Sequence, residues 1–244
     1  MRVKATIAYD GSRYYGSQVQ REQSKNKLPT VASAIELLLS YLNIKTQVEF
    51  SGRTDKGVHA TGQVIAFEVP EYWNDLEKLR GILNSKLNEI QFHSLEACPR
   101  DFHPRFGATS RVYRYIVSTE AKSPFLFDYV HFVDNLNEAK IAEAIRWFEG
   151  EHDFEFFRKT GSEEKSTVRT IFKTKFYKYR GFYVFYFEGN AFLRSQIRMM
   201  VGALLKYSDG TISALELKEQ IAKKNQVSSI VAPANGLYLA KIKY

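Results

Sequence analysis

The sequence predicts an α+β protein made of two ferredoxin-like halves, and three observations lead to this prediction. The chain has 244 residues, of which 44% are apolar, which suits one or two domains with a sizeable core. Segments of period two alternate with segments of helical period. In the first half their order is strand, helix, strand, strand, helix, strand, as in the ferredoxin-like motif. Because the second half repeats this layout, we place the halves at residues 1–104 and 105–244.

Apolar periodicity places each element of the first half, because strands alternate and helices repeat every three to four residues. Thr30 is a suitable N-cap for the first helix. In chain order we predict a strand over 3–9, a polar loop over 10–27, a helix from Thr30 to residue 42, a strand on each side of residues 51–62, a helix over 76–87 and a strand over 90–98.

A connector over residues 99–109, which holds two prolines and a glycine, leads into the second half. Arg180 and Gly181 separate two strand-like runs by two residues, which indicates a hairpin. Ser213 and Glu216 have capping-box spacing and indicate a short helix. In chain order we predict strands over 112–118 and 130–133, a helix over 136–149, hairpin strands over 167–179 and 182–188, a helix over 191–207, the short capped helix and a last strand over 237–244.

The net charge of +8 favours an anionic partner such as a nucleic acid. Cys98 is the only cysteine, which excludes an intramolecular disulfide and fits a reducing, cytoplasmic location. The N-terminus lacks the apolar core of a signal peptide, and no apolar run approaches the roughly 20 residues of a membrane span. We therefore expect no membrane association.

Cofactor chemistry is not expected from this sequence. The five histidines lack metal-ligand spacing, and neither a dinucleotide-binding glycine motif nor a phosphate-binding P-loop occurs. We therefore predict no metal site and no cofactor.

The stretch at residues 51–64 carries the strongest functional signal. Three glycines stand five residues apart, and Arg53 and Asp55 lie between the first two. Apolar sequence on both sides predicts a strand, a glycine-rich loop and a strand, with Asp55 displayed on the loop. Asp55 could cap a turn, or it could act in catalysis. A cation near Asp55 favours the ionised carboxylate, which suits a nucleophile better than a general base.

This stretch resembles the central motif of the tRNA pseudouridine synthase A family, whose usual form is G-R-T-D-x-G-V-H. Five further segments resemble family motifs, in the family's order and across nearly the whole chain. They are YDG at 9–11 with YGSQVQ at 15–20, FHPRF at 102–106, RVYRY at 111–115, GNAFL at 189–193 with QIRMMVG at 196–202, and APANGLYL at 232–239. Ser17, Lys56 and Ser166 depart from the family pattern, which leaves the substrate range open rather than the reaction class.

The resemblance implies one continuous, mainly antiparallel sheet with helices on one face and an active-site cleft between the halves. It implies that Asp55 is the nucleophile that attacks the target uridine, after which the uracil rejoins the ribose through carbon. Arg53 and Arg198 are the two candidates for the arginine that pairs with Asp55. We also expect Arg198 and Arg194 to share one helix face, because they lie four residues apart.

The resemblance also implies residues that bind the substrate. We assign this role to Tyr113, Asp10, Arg105 and Arg111. Tyr113 is the candidate for stacking on the flipped base, although a tyrosine on a strand is also often part of the core. Three basic segments, at residues 13–27, 100–114 and 158–180, are the expected RNA contacts. We expect most aromatic residues of the third segment to be core residues.

The resulting hypothesis is an enzyme that makes pseudouridine in the anticodon stem-loop of tRNAs, at tRNA positions 38–40. The resemblance implies a homodimer. Two alternatives stay open at this point, namely a pseudouridine synthase for another RNA and a non-catalytic RNA-binding protein.

Overall fold

The computed structural model describes residues 1–18, 29–161 and 165–244. These residues divide into two compact units. The first unit contains Met1–Thr109 together with Tyr238–Tyr244, and the second contains Ser110–Leu237. The units differ from the predicted halves because the last strand of the chain lies in the first unit.

The described residues form ten strands and five α-helices. The strands are β1 (Arg2–Tyr9), β2 (Glu49–Phe50), β3 (His59–Glu68), β4 (Ile90–Ala97), β5 (Ser110–Ser118), β6 (His131–Phe132), β7 (Gly150–Asp153), β8 (Val168–Tyr179), β9 (Phe182–Gly189) and β10 (Leu237–Lys243). The helices are α1 (Val31–Tyr41), α2 (Leu76–Lys86), α3 (Glu138–Ala144), α4 (Gln196–Ser208) and α5 (Ala214–Ile221). The predicted α+β class is confirmed.

The sheet of the first unit is built around β1 and β3. β1 pairs antiparallel with β3 on one side and with β4 on the other. Two strands pair with the edge of β3 that faces away from β1. β2 pairs antiparallel with the second half of β3, and β10 pairs parallel with its start. Alternate residues of β1 are buried, so this strand contributes one face to the core, as its period of two predicts.

The sheet of the second unit has the order β5-β9-β8-β7, in which every neighbouring pair is antiparallel. β6 pairs parallel with the end of β5. The predicted hairpin joins β8 to β9, and Arg180 and Gly181 have φ of 49° and 86°. Positive φ at both central residues is the geometry of a two-residue type I′ turn, so this prediction is confirmed.

Local capping signals were sufficient to locate two helix starts. The Thr30 side chain accepts a hydrogen bond from the Ser33 N–H at the start of α1. Ser213 and Glu216 form a reciprocal capping box at the start of α5. Both agree with the sequence prediction.

Two predicted helices are shorter than expected. α3 gives way to a 3-10 turn at Ile145–Phe148, and the unpredicted strand β7 follows it. The helix predicted over 191–207 begins only at Gln196, because Ser195 has a left-handed φ of 60°. In the segment before α4, the Leu193 N–H donates to the side-chain oxygen of Gln196. This side-chain bond takes the place of a backbone hydrogen bond of a helix.

Some predicted features lie outside the described residues. Arg21, Lys25 and Lys27 of the first basic segment belong to this group. In the described part of the chain, no helix has both the length and the apolar character needed to cross a membrane.

Candidate active site

The loop between β2 and β3 displays Asp55, as the glycine spacing predicts. The Asp55 side chain is half-buried, and its backbone carbonyl accepts a hydrogen bond from the Val58 N–H at 3.2 Å. Gly57 has a φ of 77°, a conformation that glycine adopts without strain. The loop therefore turns tightly just after Asp55 and returns the chain to β3.

Buried side chains of the neighbouring strands β1 and β3 hold this loop by hydrogen bonds. The Gln63 side chain is fully buried and bonds two residues at the start of the loop. Its Oε1 accepts a hydrogen bond from the Ser51 hydroxyl at 2.6 Å, and its Nε2 donates one to the Gly52 carbonyl at 2.8 Å. The Tyr9 hydroxyl lies 2.8 Å from the Thr54 hydroxyl. Burial raises the pKa of Tyr9 to about 12, so this hydroxyl stays protonated over a wider pH range than an exposed tyrosine.

A second clamp comes from the segment that follows β1. The Ser17 hydroxyl accepts a hydrogen bond from the Thr54 N–H at 2.9 Å, and the Ser17 N–H donates to the Thr54 carbonyl at 3.2 Å. Ser17 is fully buried. Gly16 has a φ of 93°, and a Cβ there would lie 2.7 Å from the Thr54 carbonyl oxygen. Residue 54, directly before Asp55, is thus fixed at both its N–H and its carbonyl.

The start of β3 is fixed by Gly11 and His59. The buried His59 ring accepts a hydrogen bond from the Gly11 N–H at its Nδ1, at 3.0 Å, and stacks on the Tyr238 ring at 4.7 Å. Asp10 caps the 3-10 turn Gly11–Arg13, since its Oδ1 accepts from the Ser12 N–H and hydroxyl. Asp10 therefore shapes the turn beside the Asp55 loop.

The two charged neighbours of Asp55 on the loop extend toward solvent. The Arg53 Nε donates a 2.6 Å hydrogen bond to the Gln18 side-chain oxygen. The Lys56 ammonium lies 4.0 Å from the centroid of the Tyr15 ring. Arg53 and Lys56 are exposed and add positive charge around Asp55.

Arg105 lies in a turn of the first unit that also displays an aromatic ring. The Phe106 ring is 78% exposed, packs against the His103 ring at 4.3 Å and lies 5.7 Å from the Arg105 guanidinium carbon. His103 Nδ1 accepts from the Arg105 N–H, which fixes the turn. Arg105 itself is exposed, as a residue that binds an anionic ligand needs to be.

In the second unit, Arg111 and Tyr113 point to the same side of β5. Tyr113 is half-buried and packs edge-on against the Phe192 ring at 5.2 Å. One Arg111 guanidinium nitrogen donates to the Asn190 carbonyl at 2.6 Å. The fully buried tyrosine of this strand is Tyr115. Tyr113 therefore lies at the margin of the core rather than inside it.

Arg198 lies on α4 and is bonded to the segment before β10. Its Nε donates to the Ala232 carbonyl at 2.6 Å, and its own carbonyl accepts from the Ala232 N–H. The expectation that Arg194 and Arg198 share a helix face is wrong, because Arg194 precedes the helix and its left-handed Ser195. Arg198 is half-buried, whereas Arg194 is exposed.

Sequence reasoning missed the residues that hold the loop. The motif comparison marks Ser17 only as a departure from the family pattern, and it indicates no role for Tyr9 or Gln63. Ser17 and Gln63 are buried polar residues, and the position of Gln63 directly before the apolar run at residues 64–67 of β3 was the available signal. Its partners lie 11 and 12 residues away and could not be read from the sequence.

Removing the Ser17 hydroxyl should loosen the loop. We expect Ser17→Ala to lose about 1–3 kcal/mol of stability, because the Thr54 N–H is left buried without its acceptor. Ser40→Ala is the matched control, since the Ser40 hydroxyl bonds a carbonyl at an exposed site and should change stability by less than about 0.5 kcal/mol. Chemical denaturation of both variants measures the difference. Equal unfolding free energies of the Ser17→Ala and Ser40→Ala variants would contradict the proposed role of Ser17 in fixing the loop.

Comparison with known proteins defines the class of the molecule. A family model described as "tRNA pseudouridine synthase" matches residues 5–107 and 144–244. The match places the chain among the isomerases that this description denotes.

Full-length relatives narrow the assignment. Proteins named tRNA pseudouridine synthase A are 44% identical in Wolinella succinogenes (98% of this chain, 93% of the relative), 41% in Helicobacter hepaticus (99% and 98%) and 40% in Campylobacter jejuni (100% of both). The chain therefore belongs to the tRNA pseudouridine synthase A family, and the resemblance drawn from its motifs is confirmed.

Proposed function

We propose that this protein isomerises uridine to pseudouridine in the anticodon stem-loop of tRNAs, at tRNA positions 38–40, with Asp55 as the nucleophile. The observation that carries the proposal is the position of Asp55 within the family's central motif, on a loop whose backbone is fixed on both sides. Thr54 is held by Ser17, and Val58 bonds back to the Asp55 carbonyl. A carboxylate on such a support is positioned before the substrate arrives, which is what nucleophilic catalysis requires.

The reaction needs a nucleophile and a place for the detached base. The glycosidic bond from the ribose to nitrogen breaks, the base turns, and a bond to carbon forms in its place. The hydrogen on that carbon leaves as a proton, and the nitrogen gains one. Because no electrons are gained or lost overall, the step consumes no oxidant and no reductant.

Two arginines are candidates for balancing the charge of Asp55. Arg53 lies on the same loop, but its Nε is directed to Gln18. Arg198 is half-buried, and its Nε is bonded to the Ala232 carbonyl. Both arginines therefore stay candidates for pairing with Asp55, and the exposed Arg53 is also proposed to contact RNA.

RNA binding is supported by the charge of the chain and by exposed basic residues. The net charge is +8, and Arg53, Arg105 and Lys56 are all exposed in the first unit. Arg105 and Arg111 are proposed to bind phosphates, and Asp10, which shapes the turn beside the loop, is also proposed to bind the substrate. The cleft between the halves, the homodimer and the cytoplasmic location stay predictions.

The experiment that tests the function is the mapping of pseudouridines. Unmodified tRNA transcripts incubated with the pure protein should gain pseudouridine in the anticodon stem-loop. Modification elsewhere in the tRNA would contradict the proposed position, and no modification of any tRNA would contradict the proposed activity.

Tyr113 is proposed to support the flipped base, because it is half-buried beside Phe192 rather than inside the core. We expect Tyr113→Phe to keep tRNA affinity and Tyr113→Ala to lose roughly 1–3 kcal/mol of base stacking. Pseudouridine yield and tRNA affinity, measured beside thermal stability, separate the cases. Two results together would favour a packing role for Tyr113. The alanine variant would unfold, and the phenylalanine variant would equal wild type in stability, tRNA affinity and pseudouridine yield.

A further inference from the structure

A second group of basic and aromatic side chains lies in the second unit and lines a pocket of about 540 Å³. Its walls include Arg114 of β5, Arg146 of the 3-10 turn after α3, Lys175 and Tyr177 of β8, and Tyr186 of β9. The volume is within the range of small-ligand sites. None of these residues has a catalytic role in the mechanism above.

Strand register explains why these side chains meet. Tyr186 pairs with Arg114 on one side and with Lys175 on the other. Directly opposite residues of antiparallel strands have side chains on the same face about 5 Å apart, so the three form a row across the sheet. The Lys175 ammonium lies 5.9 Å from the centroid of the Tyr186 ring. Tyr177 lies two residues after Lys175 and so shares this face.

The cations of the pocket face solvent, and two carboxylates of the same unit accept hydrogen bonds close to the pocket residues. Arg114, Arg146 and Lys175 are all exposed. Glu188 accepts hydrogen bonds from the hydroxyls of Tyr186 and Ser110, at 2.8 and 3.1 Å. The bond from Tyr186 also holds that ring in place.

The second carboxylate near the pocket, Glu149, is bound to the edge of β8. One of its oxygens accepts from the N–H and the hydroxyl of Thr174, at 2.6 and 2.8 Å. Glu149 keeps its negative charge in this position, but among the described residues the pocket lining contains three cations and no carboxylate, so its net charge favours an anionic ligand.

We expected the aromatic residues of β8 to be core residues, but most of them are exposed. Tyr177 is 37% exposed, and Phe172 and Tyr179 are 53% and 57% exposed, whereas Phe176 stacks on Tyr183 toward the interior. An exposed ring beside cations is the usual combination for a base and its phosphate.

We propose that this pocket binds one nucleotide of the RNA substrate, with the phosphate at Arg114, Arg146 and Lys175 and the base on the Tyr177 ring. The inference rests on the proposed function, because that function supplies the RNA. The sequence already predicts RNA contacts in the segments of Arg114 and Lys175, and the inference adds that these two residues meet Arg146, which lies in neither segment, in one pocket.

The phosphate contact is tested with Lys175→Gln. We expect tRNA affinity to fall and the slope of log affinity against log salt to drop by about 0.7–0.9, the amount for one neutralised phosphate. Lys122→Gln is the matched control, because it removes one exposed lysine of the same unit outside the pocket and should leave the slope unchanged. Full-length tRNA transcript is the probe for both variants.

The base contact is tested with a pair of variants at Tyr177. Tyr177→Phe keeps the ring and should bind tRNA as wild type does. Tyr177→Leu keeps an apolar side chain without the ring and should weaken binding by at least about fivefold, the lower limit for the loss of one stacked base. Neither variant should change the salt slope, because neither alters charge.

The outcomes separate this inference from the proposed function. The pocket alone is overturned if the wild-type protein makes pseudouridine but the variants show no difference in tRNA binding. In that case Lys175→Gln has the same salt slope as Lys122→Gln, and Tyr177→Leu has the same tRNA affinity as Tyr177→Phe. Wild-type protein that neither retains nor modifies tRNA overturns both. A reduced slope for Lys175→Gln together with weaker binding by Tyr177→Leu supports the nucleotide site.

Discussion

Asp55→Asn is expected to abolish pseudouridine formation while the protein still folds and binds tRNA. The change keeps the size of the side chain and part of its hydrogen bonding, but it removes the negative charge and the nucleophile. The loop should keep its shape, because it is fixed by side chains at Ser17, Tyr9 and Gln63. tRNA binding should be equal or slightly stronger, since one negative charge near the phosphates is gone.

The alternative role of Asp55 makes the opposite prediction. A residue that only caps the turn would lose about 1 kcal/mol of stability on substitution, with catalysis largely kept. Asp134→Asn, the same chemical change at an exposed site of the second unit, controls for the loss of charge. Thermal stability, tRNA affinity and pseudouridine yield are measured on one preparation of each protein. A yield for Asp55→Asn within tenfold of wild type would eliminate Asp55 as the nucleophile.

Gly11→Ala is expected to have the second large effect, because it disturbs the base of the Asp55 loop. A Cβ at residue 11 would overlap the Val58 carbonyl and lie 2.9 Å from the His59 nitrogen. Both are backbone atoms, so the overlap can be relieved only by moving the start of β3. We expect a loss of about 3 kcal/mol or more. Pseudouridine yield should fall as well, because Asp55 lies three residues before Val58.

Gly81→Ala is the matched control for this substitution. Gly81 lies within α2, and a Cβ there would have no neighbour within 4 Å among the described residues. Alanine should therefore stabilise the helix by roughly 0.5–1 kcal/mol and leave activity unchanged. Denaturant unfolding and pseudouridine yield measure both variants. Gly11→Ala with wild-type stability and yield would show that the β3 start tolerates displacement.

Local sequence rules were reliable where the structure depends on near neighbours. The I′ turn at Arg180 and Gly181 and the caps at Thr30 and Ser213 each depend on residues within a few positions. The same rules failed at the start of α4, because the helix predicted from the apolar stripe of residues 197–205 was extended back to residue 191. There the side chain of Gln196 competes for the backbone, and helical periodicity carries no information about such bonds.

The sequence by itself determined the α+β class, most elements and the motif that contains Asp55. Tertiary structure alone decided how that motif is supported, because its buried partners lie far away in the chain, as Ser17 lies 37 residues and Tyr9 45 residues from Thr54. It also decided that β10 joins the first unit and that Arg114 and Lys175 flank Tyr186. Periodicity fixes which face of a strand is buried, but strand pairing depends on contacts between distant segments, which leave no local pattern.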